Sequence, residues 1–187
     1  LLARCSPDAS SALSAIRNVS VAIVALGYDD PSFRWPLPGT GYVVPRTERV
    51  PCTACTWASA KWPHASTPGR PLFRVHFGRA GNEAPAHWPD ERLIAAARHE
   101  LAVILGVRAA PALVRVFRWP QAMPQYDVGH LERLRRIEAA LSDHPGLFLA
   151  GAAYRGVGIP DCIRQAEEAS VRIRAYLERR LAAAVDR

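Results

Sequence analysis

The chain has almost no lysine: 24 of its 187 residues are basic, and all of them except Lys61 are arginine. The formal net charge of +7 fits a nucleic acid, an anionic membrane surface or an acidic small molecule as a partner. The arginines are scattered, however, and clusters such as Arg133, Arg135 and Arg136 are typical of a solvated helix face. We therefore predict no nucleic-acid partner.

Long apolar runs are also missing. Residues 101–107 form one of the longest, far below the roughly 18 residues of a membrane-spanning helix. Four cysteines at irregular spacing do not indicate a disulfide framework, so we expect a reduced, cytoplasmic protein, with peripheral membrane contact as an option. The only methionine is Met123 and the chain opens on Leu1, which suggests part of a longer protein.

No metal-binding pattern stands out. Cys52 and Cys55 form a C-x-x-C, but residues three apart on a strand point to opposite faces, so we interpret them as small buried strand residues. The histidines lack ligand spacing. No Ser/His/Asp or Cys/His arrangement indicates a nucleophile. The sequence thus predicts no metal and leaves the catalytic residues unknown.

The hydrophobic pattern predicts an α+β fold that is rich in strands over the first two thirds. Predicted strands cover residues 19–28, 42–44, 52–60, 72–77, 113–119 and 147–150. In the fourth, Phe73, Val75 and Phe77 share one face, and Arg74 and His76 share the other.

Predicted helices cover residues 90–105 and 131–141 and begin again near Pro160. Asp90 is expected to cap the first helix and Gly106 to end it. The apolar stripes of the three helices are Leu93, Ile94, Ala97 and Leu101; Leu131, Leu134, Ile137 and Leu141; and Ile163, Ala166, Ile173 and Leu177.

A glycine-rich loop at residues 151–158 leads into the final helix. Glycines permit close backbone approach, and free N–H groups at a helix start attract negative charge. A plain strand-to-helix turn is an equally good interpretation from spacing alone. The loop is not a G-x-G-x-x-G phosphate motif. Residues 119–126 add a rigid apolar segment, either a wall for a flat ligand or a packed loop.

Three stretches carry a family resemblance: WPQAMPQYDVGHLER (119–133), PGLFLAGAAYRGVGIPDCI (145–163) and CTACTWASAKWPH (52–64). Together they resemble the C-terminal part of the bacterial FAD-dependent protoporphyrinogen/coproporphyrinogen oxidases, which are monoamine-oxidase-like flavoproteins. The resemblance implies that residues 1–118 are a portion of the substrate-binding domain, mainly β with one helix. Residues 119–187 would then be the C-terminal portion of the FAD-binding domain, a strand–loop–helix.

Carried over by position, the resemblance places Trp119, Val157, Gly158 and Ile159 at the flavin of FAD. The implied activity is oxidation of coproporphyrinogen III or protoporphyrinogen IX to the porphyrin in haem biosynthesis, with dioxygen as the final electron acceptor. The family's N-terminal FAD-binding half, with its glycine-rich pyrophosphate loop, is absent from these residues. The chain alone is therefore expected to bind FAD weakly and to be inactive.

Two alternatives remain open from the residues. One is another amine-oxidase-like flavoprotein, such as a carotenoid desaturase. The other is a non-catalytic interaction module whose basic surface binds an acidic partner.

Overall fold

A computed structural model describes residues 2–29, 37–62, 64 and 70–185. Most of the Pro/Gly-rich segment that follows the first strand, and Pro63 of the third family-like stretch, lie outside the described residues. The chain divides into two compact units. The helical unit comprises Leu1–Asn18 and Pro124–Arg187, and the sheet unit comprises Val19–Met123.

The described residues form six α-helices, five strands and a short 3-10 helix at Ala84–His87. In chain order the α-helices and strands are α1 (Leu2–Cys5), α2 (Pro7–Ser14), β1 (Asn18–Gly27), β2 (Gly41–Val43), β3 (Cys52–Trp57), α3 (Ala58–Lys61), β4 (Leu72–Phe77), α4 (Asp90–Leu105), β5 (Leu113–Pro124), α5 (His130–Leu141) and α6 (Ile159–Val185). The strand order in the sheet is β2-β3-β4-β1-β5. The predicted α+β class is confirmed.

The core of the sheet unit lies on one face of the sheet. Strand β4 pairs antiparallel with β1, and Val24 opposite Val75 marks the register. Alternate residues of both strands are fully buried, together with the stripe of α4. The predicted period-2 face of β4 and the predicted stripe of α4 both point into this cluster.

Arg74 and His76 lie on the opposite face of β4 and are partly buried. Burial, reinforced by the charge of Arg74, lowers the pKa of His76 from 6.5 to about 4. The imidazole is therefore neutral in the folded protein at physiological pH.

His76 is expected to make the protein acid-sensitive. As pH falls below about 6.5 the unfolded chain takes up a proton at His76, whereas the folded chain takes it up only near pH 4. The free energy of unfolding should therefore decrease across this window, by about 3 kcal/mol at most. Urea unfolding at pH 7, 5.5 and 4 measures the decrease, and His76→Gln should flatten it. An equally steep decrease in the variant would assign the acid sensitivity to other groups.

A β-bulge changes the expected placement of the two strand cysteines. Cys52 pairs with Phe77 and Cys55 with Val75, because the register shifts between Cys52 and Ala54. The extra residue turns both sulfurs to the core face, and both cysteines are buried. The predicted opposite facing was wrong, and the prediction of burial was right. The strand is also shorter than predicted, since a helical turn, α3, begins at Ala58.

Helix α4 has the predicted bounds but not the predicted cap. Asp90 is its first helical residue and makes no capping hydrogen bond. Its Oδ1 instead lies 2.6 Å from the guanidinium of Arg118, which competes for the carboxylate. Gly106 ends the helix in the left-handed conformation (φ 71°), as predicted.

The helical unit is built around the packing of α2 against α5. Its buried cluster comprises Ala12, Ile16, Leu134 and Ile137. Leu131, predicted to join the apolar stripe of α5, is exposed, and His130 is buried instead. On α6 the predicted stripe residues Ile163, Ile173 and Leu177 are likewise exposed, while Gln165 and Ala169 are buried.

The short strand predicted at residues 147–150 is absent: this segment has no regular secondary structure. A strand needs a neighbour to complete its hydrogen bonds, and the sheet of the described residues belongs to the other unit. Leu149 packs against the buried helical cluster.

Candidate functional site: the glycine loop at the start of the last helix

Gly156 sets the shape of the loop before α6. Its φ of 125° lies in a region that side chains rarely adopt, and an added Cβ would collide with the side chain of Asp161. The residue must therefore be glycine for two independent reasons, torsion and space. Gly158, two residues on, has an ordinary φ but lies close to the same carboxylate.

The start of α6 carries its own charge balance. Pro160 lies in the first turn, as predicted, where a missing N–H costs little. Asp161 interacts with Arg164 at 3.3 Å, and Arg164 also contacts Glu168 at 3.1 Å. The guanidinium of Arg164 further donates to the carbonyl of Arg155 at 3.4 Å. Because Asp161 already places an acidic group beside the N–H groups of the helix start, part of their attraction for an anion is used within the protein.

Tyr126 connects the loop to the segment before α5. Its hydroxyl donates to the carbonyl of Ala152 at 2.7 Å and accepts from the amide of Gly156 at 2.8 Å. One side chain thus bonds both ends of a five-residue arc. The ring of Tyr126 stacks on the imidazole of His130, with centroids 4.0 Å apart and planes 10° apart.

His130 contacts the backbone of the same arc, residues 152–156. It is 6% exposed, and its Nε2 lies 2.8 Å from the carbonyl of Tyr154. The carbonyl can only accept, so Nε2 carries the proton. Its Nδ1 is buried, without a hydrogen-bond partner among the described residues. The stack with Tyr126 and the hydrogen bond to Tyr154 together fix the position and the orientation of the imidazole ring.

The four residues predicted to bind the cofactor fall into two groups. Val157, Gly158 and Ile159 are consecutive at the start of α6, and the side chains of Val157 and Ile159 are 51% and 77% exposed. Trp119 lies on β5 in the sheet unit, 40% exposed, and its ring is 5.9 Å from that of Phe117. The predicted irregular segment around Trp119 is mostly strand, with a positive φ only at Gln121.

The loop suits a flat, partly apolar ring with polar edge atoms. Two exposed apolar side chains flank Gly158, which is partly exposed and lies beside the Asp161 carboxylate. Tyr126 and His130 hold the preceding residues 152–156 through hydrogen bonds to the backbone. These features fit the isoalloxazine of a flavin.

Sequence reasoning gave His130 no role and placed Tyr126 only in the apolar segment 119–126, although both residues lie in the family-like stretch PQYDVGH. Their spacing of four residues just before a helix was the available signal, since such residues can face each other across one turn. Buried Glu100 was also missed, although it follows Ala97 by three residues on the apolar stripe of α4.

A second cluster of titratable groups lies in the core of the sheet unit. The hydroxyl of Tyr42 donates to Oε1 of Glu100 at 3.1 Å. Burial, followed by a hydrogen bond with Glu100, raises the pKa of the Cys52 thiol, and burial with the Glu100 charge raises the pKa of Cys55 to about 12. Both thiols are therefore protonated at neutral pH and are poor nucleophiles.

Neither a metal site nor a membrane-spanning helix is present among the described residues. No group of three or more His, Cys, Asp or Glu side chains is arranged to hold a metal ion. None of the helices in this part of the chain combines the length and apolar character needed to cross a membrane.

The fold is shared with solved oxidoreductase and mutase structures. A crystal structure of reduced UDP-galactopyranose mutase matches 76% of this chain and 29% of the mutase chain, with a TM-score of 0.60. The sequences are only 11% identical, so this likeness concerns the fold alone. A structure from Exiguobacterium sp. 255-15, assigned as a protoporphyrinogen oxidase, gives a TM-score of 0.78 at 36% identity. This match covers 95% of the present chain and 39% of the Exiguobacterium chain.

Residues 2–174 match the sequence profile of the flavin containing amine oxidoreductases, and the chain belongs to this family. The predicted family resemblance and the predicted flavin class of cofactor are confirmed. Among curated relatives, the coproporphyrinogen III oxidase of Bacillus subtilis (strain 168) is 39% identical over 170 residues. That match covers 90% of this chain and 36% of the relative, so the chain spans about a third of the relative's length.

Proposed function

We propose that this chain forms part of an FAD-dependent oxidase that converts coproporphyrinogen III or protoporphyrinogen IX to the porphyrin. The observation that carries the proposal is the 39% identity to the Bacillus subtilis coproporphyrinogen III oxidase across 90% of the chain. The proposal includes both substrates because the Exiguobacterium structure, 36% identical, bears the name of a protoporphyrinogen oxidase. The reaction belongs to haem biosynthesis, with dioxygen as the final electron acceptor.

Val157, Gly158 and Ile159 are the proposed flavin contacts in the helical unit. The two exposed apolar side chains would cover the ring, and the backbone at Gly158 would face its polar edge. When bound, the flavin supplies hydride acceptance, which no amino-acid side chain provides. The chain's own contribution is to hold the ring, to exclude water from it and to present the helix start.

Trp119 is proposed as a further flavin contact on the sheet unit. It supplies a large aromatic surface and is accessible beside Phe117 on an edge strand. Replacement by phenylalanine would retain an aromatic ring but reduce its area.

The remaining part of the family fold, including its pyrophosphate-binding segment, is the proposed partner of the helical unit. A groove of about 740 Å³ is bounded by α5, α6 and residues 147–155, and its wall includes Ile137, Phe148 and Val171. The exposed apolar side chains of α6 fit the same proposal, because a surface of this kind is normally covered by another part of a protein. We assign residues 1–118 to a substrate-binding portion and 119–187 to an FAD-binding portion on the family resemblance.

An FAD titration tests the proposal in two proteins. The first is the 187-residue chain, and the second is a chimaera in which the chain replaces the matched residues of the Bacillus subtilis relative. We expect weak or no FAD binding by the chain, and stoichiometric binding by the chimaera with a structured flavin absorbance band. The chimaera should then convert coproporphyrinogen or protoporphyrinogen to a fluorescent porphyrin.

Failure of a folded chimaera to bind FAD would contradict the proposed flavin site. FAD binding without porphyrin formation would favour another flavin-dependent oxidation, such as a desaturation. The relative itself serves as the positive control for both steps.

A further inference from the structure

We infer that Tyr126 and His130 are positioning residues that hold the glycine loop in the shape that binds the flavin. The inference rests on the proposed function, because it takes the loop at residues 156–159 as the flavin contact. It adds two residues that would act through the loop backbone rather than by touching the flavin.

The hydroxyl of Tyr126 defines the arc of the loop. It bonds the Ala152 carbonyl at 2.7 Å and the Gly156 amide at 2.8 Å, so the two ends of the arc share one atom. Gly156 is also the residue with the left-handed torsion, φ 125°. Fixing its amide therefore fixes the direction in which the chain enters residues 157–159.

His130 holds the middle of the same arc. Its Nε2 bonds the Tyr154 carbonyl at 2.8 Å, between the two points held by Tyr126. The stacked rings, 4.0 Å apart, couple the two side chains into one support. Three backbone groups of a five-residue segment are thus held by two side chains that stand four residues apart.

Tyr126 and His130 are themselves held in place by contacts that lie outside the glycine loop. The amide of Gln125 donates to the Arg17 carbonyl at 2.8 Å, and Arg17 forms a two-point ion pair with Asp127 at 3.0 and 3.3 Å. These bonds flank Tyr126 on both sides. Because this ion pair is solvent-exposed, we assign the anchoring mainly to the backbone bond and to the burial of His130.

A loop that already has its bound shape binds a rigid ligand more tightly than a mobile loop does, because less conformational freedom of the loop is lost on binding. Tyr126→Phe keeps the stacked ring and removes both hydroxyl bonds. We expect it to weaken FAD binding by about tenfold, in line with the net contribution of one or two hydrogen bonds. Tyr176→Phe removes a hydroxyl elsewhere in the helical unit and should leave FAD affinity unchanged.

Hydrogen–deuterium exchange in the 187-residue chain tests the loop without flavin. Tyr126→Phe should accelerate exchange at residues 152–158 by about tenfold and leave α5 and α2 unchanged. His130→Leu should have the same local effect. His130→Gln can still donate to the Tyr154 carbonyl and should restore part of the protection, which a loss of packing alone would not predict.

FAD titration of the chimaera, with the same substitutions, supplies the second readout together with the flavin absorbance maxima. Faster exchange combined with weaker FAD binding and shifted maxima supports the inference. If the wild-type chimaera binds FAD and Tyr126→Phe binds it equally well, the inference is wrong while the proposed function stands, whatever the exchange rates. If the folded wild-type chimaera binds no FAD, the proposed function is wrong, and the assigned role of the two residues with it.

Discussion

Gly156→Ala is expected to destabilise the helical unit by about 2–5 kcal/mol and to disrupt the glycine loop. The alanine would have to hold a φ of 125°, which costs a residue with a Cβ about 1–3 kcal/mol. The added methyl would also collide with the Asp161 side chain, displacing it from its contact with Arg164. Urea unfolding followed by circular dichroism measures the loss.

Gly151→Ala is the matched control. Gly151 has nearly the same torsion, φ 131°, but no atom lies within 4 Å of the added Cβ. This variant should show only the torsional cost, so the difference between the two variants isolates the collision with Asp161. Equal destabilisation of both variants would mean that Asp161 moves aside freely.

Phe73→Ala is expected to destabilise the sheet unit by about 3–5 kcal/mol. Phe73 is fully buried near the start of β4, and its ring contacts Tyr28 and Trp57 with centroids 5.8 and 6.3 Å away. Removing the ring leaves a cavity that the surrounding core residues fill only partly. A loss of this size is a large fraction of the stability of a typical domain.

Phe117→Ala makes the same chemical change on β5, where the ring is about half exposed. It should cost only about 1 kcal/mol, because only about half of the ring surface is removed from water there and no closed cavity is left. Thermal unfolding of both variants provides the comparison. Similar losses in the two variants would contradict the position of the core on one face of the sheet.

Elements that carry their own local signals were predictable from the sequence. Helix α4 has the predicted bounds because its apolar stripe and Gly106 agree with each other. Strand β4 alternates as predicted, since Phe73, Val75 and Phe77 repeat every second residue. The unusual backbone before α6 was also predictable, because glycines before a proline indicate a special conformation at a helix start.

Features that depend on distant partners were not predictable. The bulge that turns Cys52 and Cys55 to the same face is set by pairing with β4, and residues 147–150 form no strand because no neighbour pairs with them. Asp90 forms an ion pair with Arg118, 28 positions away in the sequence, instead of capping α4. None of these contacts leaves a periodic pattern in the chain.

The sequence by itself determined the α+β class, the family and the place of the glycine loop, because these depend on local patterns and on contiguous motifs. Only the tertiary structure decided how the loop is held. The bonds from Tyr126 to Ala152 and Gly156 join residues up to 30 positions apart, and the burial of His130 follows from the packing of α5. Such contacts form only when folding brings separate segments together, so their geometry cannot be read from the order of the residues.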